Sequence, residues 1–158
     1  MATPKTTAAK SGSAGKSTNV WSDEERAAMQ AAARERKTAP RPGSPEERAA
    51  GEAEIRAKIA DMPPEDRAMA ERIHELVTTT APSLAPKTYY GMPAYAKDGK
   101  VICFFKPASK FKVRYATFEF QPDAGLDDGE MWPVSFAVTE LTPRSEARIA
   151  DLVKKAIG

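Results

Sequence analysis

Apolar residues recur with a helical period in several stretches of the chain. Ile55, Ile59 and Met62 are spaced i, i+4 and i+7, and a second stripe runs from Met69 to Val77. A third stripe runs from Ile149 to Ala156. Because spacings of three and four residues place side chains on one face of an α-helix, the sequence predicts three amphipathic helices.

Capping signals mark where these helices begin. Ser44 is followed by Pro45 and Glu47, a combination typical of a helix N-terminus. The pair Thr142-Pro143 opens the last helix in a similar way, and Pro63-Pro64 separates the first two.

Between the second and third of these helices, the pattern becomes that of β-strands. The sequence predicts four strands, Thr88–Tyr95, Val101–Phe105, Lys112–Phe120 and Val134–Val138. Asp98-Gly99 predicts a two-residue hairpin turn, and the continuously apolar second strand is predicted to be central. The apolar phase of the third strand changes at Ala116-Thr117, which indicates a bulge there.

Helices followed by strands and then a final helix predict an α+β fold. We expect an antiparallel sheet of about four or more strands with helices packed on one face. The domain is predicted over residues 44–158, after a disordered basic tail (1–20) and a marginal helix with a Pro-rich linker (21–43). Ser22 and Glu25 form a predicted capping box in that marginal helix.

Charge is distributed unevenly. Residues 1–44 carry eight Lys or Arg and four Asp or Glu, a net charge of +4, whereas the whole chain has +2. The remainder therefore has −2. A basic arm is typical of contact with nucleic acid or a protein partner, although lysines can simply solvate a tail.

The remaining composition excludes several classes of protein. Cys103 is the only cysteine, so an intrachain disulfide is impossible and a reducing compartment is favoured. No apolar run is long enough for a membrane helix, and the first residues lack the apolar segment of a secretory signal. We therefore expect a cytoplasmic protein with no membrane contact.

No catalytic constellation stands out. His74 is the only histidine and is expected to make one hydrogen bond on a helix face. Cys103 lies in the most apolar strand and is expected to be a buried structural thiol. The protein is thus predicted to be a non-enzymatic binding protein.

Three groups of residues are candidate sites. Aromatic and Pro-containing positions around the predicted hairpin could line a small-molecule pocket or close the core: Tyr90, Met92, Pro93, Tyr95 and Trp132. Pro93 also indicates an edge or bulged strand. Basic residues interleaved with aromatics could bind nucleic acid or another anion, or simply face water: Lys106, Lys112 and Arg114. Loop acids are weak candidates for a hard cation: Asp127, Asp128 and Glu130.

An ordered set of motifs resembles the YdhG-like bacterial family, a family of unknown function. The resemblance covers about residues 50–157. Its motifs are Met92–Tyr95, Gly99–Val101, Phe104-Phe105, Lys112–Phe120, Leu126–Gly129 and Met131–Pro133. The resemblance implies an α+β sandwich that is called frataxin-like in some members. It also implies iron as a cargo, since some relatives carry the label iron chaperone.

Three functions follow as hypotheses. The first is a small non-enzymatic binding protein of the YdhG-like family with a weak iron-chaperone role. The second is a module that binds nucleic acid or another polyanion through the basic arm and a basic hairpin that contains Lys106, Lys112 and Arg114. The third is a protein with a small-molecule pocket.

Overall fold

The computed structural model of the chain describes residues 22–38 and 43–158. The predicted basic tail over 1–20 and linker residues 39–42 lie outside the described residues. The helices are α1 (Asp23–Thr38), α2 (Pro45–Ala60), α3 (Pro64–Thr80) and α4 (Pro143–Ile157). The strands are β1 (Ala85–Tyr89), β2 (Met92–Lys97), β3 (Lys100–Lys106), β4 (Ala116–Phe120) and β5 (Ser135–Val138).

The five strands form one antiparallel sheet in the order β1-β2-β3-β4-β5, so each strand pairs with the next in the chain. The predicted α+β class is confirmed. The apolar strand β3 is central, as its composition predicts, because it is covered on both faces.

Predicted capping signals are present at three helices. Ser22 and Glu25 exchange hydrogen bonds at the start of α1, and Ser44 accepts one from the Glu47 N–H at the start of α2. Thr142 forms a capping box with Ser145 at the start of α4. These contacts are local, which is why the sequence predicts them well.

The predicted strand Thr88–Tyr95 is wrong as a single element. A turn at Tyr90-Gly91 divides it into β1 and β2, and both turn residues have positive φ, 49° and 76°. The predicted turn at Asp98-Gly99 has the same form, with φ of 52° and 79°. Glycine suits positive φ but tyrosine seldom adopts it, so the sequence signals only the second residue of the first turn.

Two details of the predicted strands need correction. Pro93 lies in β2, which is an interior strand, so the expected edge position is wrong. The alternative, a bulged strand, is present, since the β2–β3 register shifts between Tyr95 and Ala96. The predicted bulge at Ala116-Thr117 is wrong, because β4 begins at Ala116 and its described pairing is regular. The phase change arises because the preceding residues form a loop.

The main core lies between the sheet and α2, α3 and α4. Tyr95, Phe105 and Phe118 project from the sheet into it and are fully buried among residues of these helices. The opposite face carries a smaller cluster of Met92, Ala94 and Phe104, with half-buried residues around it: Tyr89, Tyr90, Val101 and Phe111. Helix α1 contacts β1, and none of its described residues belongs to the main core.

Helix α2 approaches β1 unusually closely at Gly51. A Cβ atom built on Gly51 would lie 1.8 Å from the carbonyl oxygen of Pro86. Thr88 in the same strand donates its hydroxyl hydrogen to Glu54 at 3.1 Å. This approach fixes the position of α2 and therefore of Glu52, the next residue along the helix.

Candidate functional site

A groove of about 700 Å³ opens between α2 and α3. Its lining repeats every three or four residues along each helix, which means that each helix presents one stripe to it. The charged and polar lining residues are Glu52, Arg56, Arg67, Glu71, His74, Glu75 and Thr78. The groove is therefore lined by charges of both signs around one histidine.

His74 is buried and is held at both ring nitrogens. Its Nε2 lies 2.9 Å from Oε1 of Glu52, and its Nδ1 lies 3.0 Å from the hydroxyl oxygen of Tyr95. A carboxylate only accepts hydrogen bonds, so Nε2 carries the hydrogen. In the neutral ring Nδ1 then accepts from Tyr95, which gives the chain a single direction from Tyr95 through His74 to Glu52.

The two partners of His74 have shifted acid–base properties. Burial raises the pKa of Tyr95 well above its ordinary value, so its hydroxyl stays neutral. Burial also opposes the charge of Glu52, but the hydrogen bond from His74 and the positive charge of Arg56 lower its pKa overall. Arg56 Nε lies 2.6 Å from the same carboxylate oxygen. Glu52 is thus held ionised beside the histidine.

Two charged groups of the groove wall remain available to a ligand. Among the described residues, Arg67 and Glu71 have no ion-pair partner, although both line the groove. They are four residues apart on α3, which places their Cβ atoms about 6 Å from each other. Glu75, by contrast, is already paired with Arg72 at 2.9 Å.

The hydroxyl group in the groove lining is not arranged as a nucleophile. Thr78 is the lining residue with a hydroxyl group, and it donates that hydrogen to the carbonyl oxygen of His74 at 2.7 Å. A nucleophile would instead need to donate to a neighbouring base. Cys103 is buried in the core, as predicted, and burial raises the pKa of its thiol.

Sequence reasoning missed this site. His74 makes two side-chain hydrogen bonds, not the predicted one, and it is buried. One signal was present: His74 directly follows Ile73 in the apolar stripe of α3, so the helix has a polar side chain beside its buried face. The partners of His74 could not be recognised, because Glu52 and Tyr95 are distant in sequence.

The predicted pocket residues do not come together. Tyr95 belongs to the core on the helix-covered face, and Trp132 packs against that core. Met92 and Tyr90 belong to the cluster on the opposite face, and Pro93 is fully buried within β2. Alternation along the strand separates Met92 from Tyr95, so the five residues do not line one pocket.

The predicted anion-binding residues lie at the end of one strand and in the connection that follows it. Lys106 ends β3, and Lys112 and Arg114 follow in the connection to β4. Lys112 and Arg114 are exposed, whereas Lys106 is half-buried over the ring of Phe111.

The predicted cation ligands Asp127, Asp128 and Glu130 are exposed in the loop between β4 and β5. Across residues 22–38 and 43–158, no group of three or more His, Cys, Asp or Glu side chains is arranged to hold a metal ion. These acids therefore do not form a recognisable metal centre, and the implied iron role stays a prediction.

Comparison with known proteins finds no matching family model, curated protein or solved structure. The resemblance to the YdhG-like family therefore rests on the motifs alone. None of the described helices combines the length and apolar character that crossing a membrane requires.

Proposed function

We propose that the protein is a small non-enzymatic binding protein of the YdhG-like type whose α2–α3 groove takes a small zwitterionic ligand. One observation carries the proposal. Arg67 and Glu71, with no ion-pair partner among the described residues, line a groove with His74 buried beside it and bonded at both nitrogens.

Opposite charges four residues apart suit a molecule that carries a carboxylate and an ammonium group. Arg67 can bind a carboxylate through paired N–H donors, and Glu71 can accept from an ammonium. In a helical i, i+4 pair, the attraction is weaker when the acid follows the base. The attraction between Arg67 and Glu71 therefore competes little with their binding of such a ligand. A free amino acid carries both groups.

The hydrogen-bonded chain beneath the groove supports binding by keeping the wall rigid. Glu52 is held by a hydrogen bond with His74 and by an ion pair with Arg56. A wall that is ordered before the ligand arrives loses less conformational entropy on binding.

A thermal-shift assay with the free amino acids tests the proposal. Each is supplied at about 10 mM, ten times a Kd of 1 mM, with citrate and spermidine as ligands of one charge sign. A bound ligand at this excess stabilises the fold by about 1.4 kcal/mol, which raises Tm by a few degrees. We expect at least one amino acid to raise Tm more than citrate or spermidine does.

Substitutions locate the binding. Arg67→Gln and Glu71→Gln should each remove the shift while leaving the ligand-free Tm nearly unchanged, since neither has an ion-pair partner among the described residues to lose. Glu65→Gln, an exposed change outside the groove lining on the same helix, is the control and should retain the shift. If no amino acid shifts Tm, or if the shift survives both groove variants, the proposal is wrong.

A further inference from the structure

The connection between β3 and β4 lies in the most basic stretch of the described chain. From Gly99 to Phe118 there are five Lys or Arg residues and no Asp or Glu. We call residues 107–115 the basic loop. Lys110, Lys112 and Arg114 alternate along it, directly after Lys106 at the end of β3.

Two backbone N–H groups of the basic loop make hydrogen bonds that hold it in place. The N–H of Ser109 donates to the buried carboxylate of Asp66 at 3.2 Å. Within the loop, the N–H of Val113 donates to the carbonyl of Ala108 at 3.1 Å. These two hydrogen bonds anchor the loop that carries the lysines.

The cationic groups of this region lie close to two aromatic rings. The Nζ atoms of Lys106 and Lys110 lie 4.8 and 5.5 Å from the centre of the Phe111 ring. The Arg114 guanidinium lies 5.0 Å from the centre of the Tyr115 ring. Contact with a ring face attracts a cation, so these contacts gather positive charge around the loop.

An acid from another element already occupies this surface. Glu24 of α1 reaches Lys112, with 2.5 Å between Oε1 and Nζ. The hydrogen bond from Lys112 lowers the pKa of Glu24, so the carboxylate remains ionised. The loop therefore accepts an anion, and α1 supplies one from within the chain.

We propose that the basic loop binds the phosphate backbone of single-stranded nucleic acid, and that Glu24 competes with a phosphate for Lys112. Several cations spaced along one loop suit a polymer with repeated charges better than a single small anion. Contacts to phosphates carry no base information, so the binding is independent of sequence. Helix α1 acts as a weak internal competitor, because an exposed ion pair is easily exchanged.

Fluorescence anisotropy with labelled oligo-dT and oligo-U of twenty nucleotides tests the proposal on the full chain. We expect binding at low salt that weakens as salt rises. Each phosphate contact lowers log K by about 0.7 per unit of log salt concentration for a single strand. Three contacts then give a slope of about −2.

Paired variants separate a specific role from a change in total charge. Glu24→Gln should bind about twofold to fivefold more tightly, whereas Glu130→Gln, which makes the same charge change in an exposed loop, should bind like the wild type. Arg114→Gln should weaken binding and make the salt slope smaller by about 0.7. Lys58→Gln, an exposed change on α2, should alter neither.

Each result has a clear meaning. Equal gains from Glu24→Gln and Glu130→Gln would overturn the competition by α1. Absence of binding at low salt, or an unchanged affinity in Arg114→Gln, would overturn the basic loop as the binding surface. Tighter binding to duplex DNA than to either single strand would overturn the assignment of single-stranded nucleic acid as the ligand.

Discussion

Replacement of Gly51 by alanine tests the close approach of α2 and β1. In most helices this change stabilises the protein by about 0.5–1 kcal/mol, because alanine restricts the unfolded chain and favours the helix. Gly51 is buried, however, and a Cβ atom there would lie 1.8 Å from the carbonyl oxygen and 2.8 Å from the carbonyl carbon of Pro86.

The geometry predicts a loss of stability instead. A carbon and a carbonyl oxygen normally stay about 3.3 Å apart, so α2 and β1 would have to separate by about 1.5 Å. Overpacking of this kind typically costs 1–3 kcal/mol and occasionally more. Because the atoms in conflict belong to backbone, no side chain can move aside, and we expect a net loss of about 2 kcal/mol or more.

Urea unfolding measures the change. For m of about 2 kcal/mol/M, the midpoint should fall by about 1 M in Gly51→Ala. Ala57→Gly, an exposed change on the same helix, is the control and should cost about 1 kcal/mol through helix propensity alone. A Gly51→Ala variant as stable as the wild type would refute the close packing of α2 on β1. The same variant should also lose any ligand of the groove, since it displaces Glu52.

Three further predictions concern the candidate sites. Tyr95→Phe leaves Nδ1 of His74 without its donor, so urea unfolding should show a loss of about 1–3 kcal/mol, while Tyr115→Phe, at a half-buried tyrosine in contact with Arg114, should show almost none. Glu52 has a lowered pKa in the folded state, so its contribution to stability is present above its ordinary pKa of 4.5 and is lost as pH falls through the lowered value. The stability difference between wild type and Glu52→Gln should therefore shrink as pH falls below about 4.5, and a difference that grows below that pH would contradict the assigned contacts. Anaerobic calorimetry with ferrous iron tests the iron role that the family resemblance implies: heat that disappears when the three loop acids after Leu126 are neutralised would support it, and no heat at hundreds of micromolar iron would exclude it.

Much of the architecture could be predicted because its causes are local. The apolar stripe of α4 and its Thr142 cap lie within one helix, and the Asp98-Gly99 turn involves adjacent residues. Helix period, capping and turn chemistry depend on neighbours in sequence, so the pattern contains them. The basic loop was visible for the same reason, since its charges are consecutive.

The candidate groove could not be predicted, since its parts are distant in sequence. Glu52 and Tyr95 lie 22 and 21 residues from His74, on a different helix and on a strand. The turn at Tyr90-Gly91 was also hidden, because a tyrosine with positive φ has no local signature.

The sequence by itself determined the helices, their caps, the central apolar strand and the concentration of positive charge after it. Only the tertiary structure decided that β2 is interior, that Glu24 reaches Lys112, and that His74 is held between Glu52 and Tyr95. The physical reason is that periodicity determines which face of an element is apolar, whereas the partners of a buried polar group depend on how the elements pack.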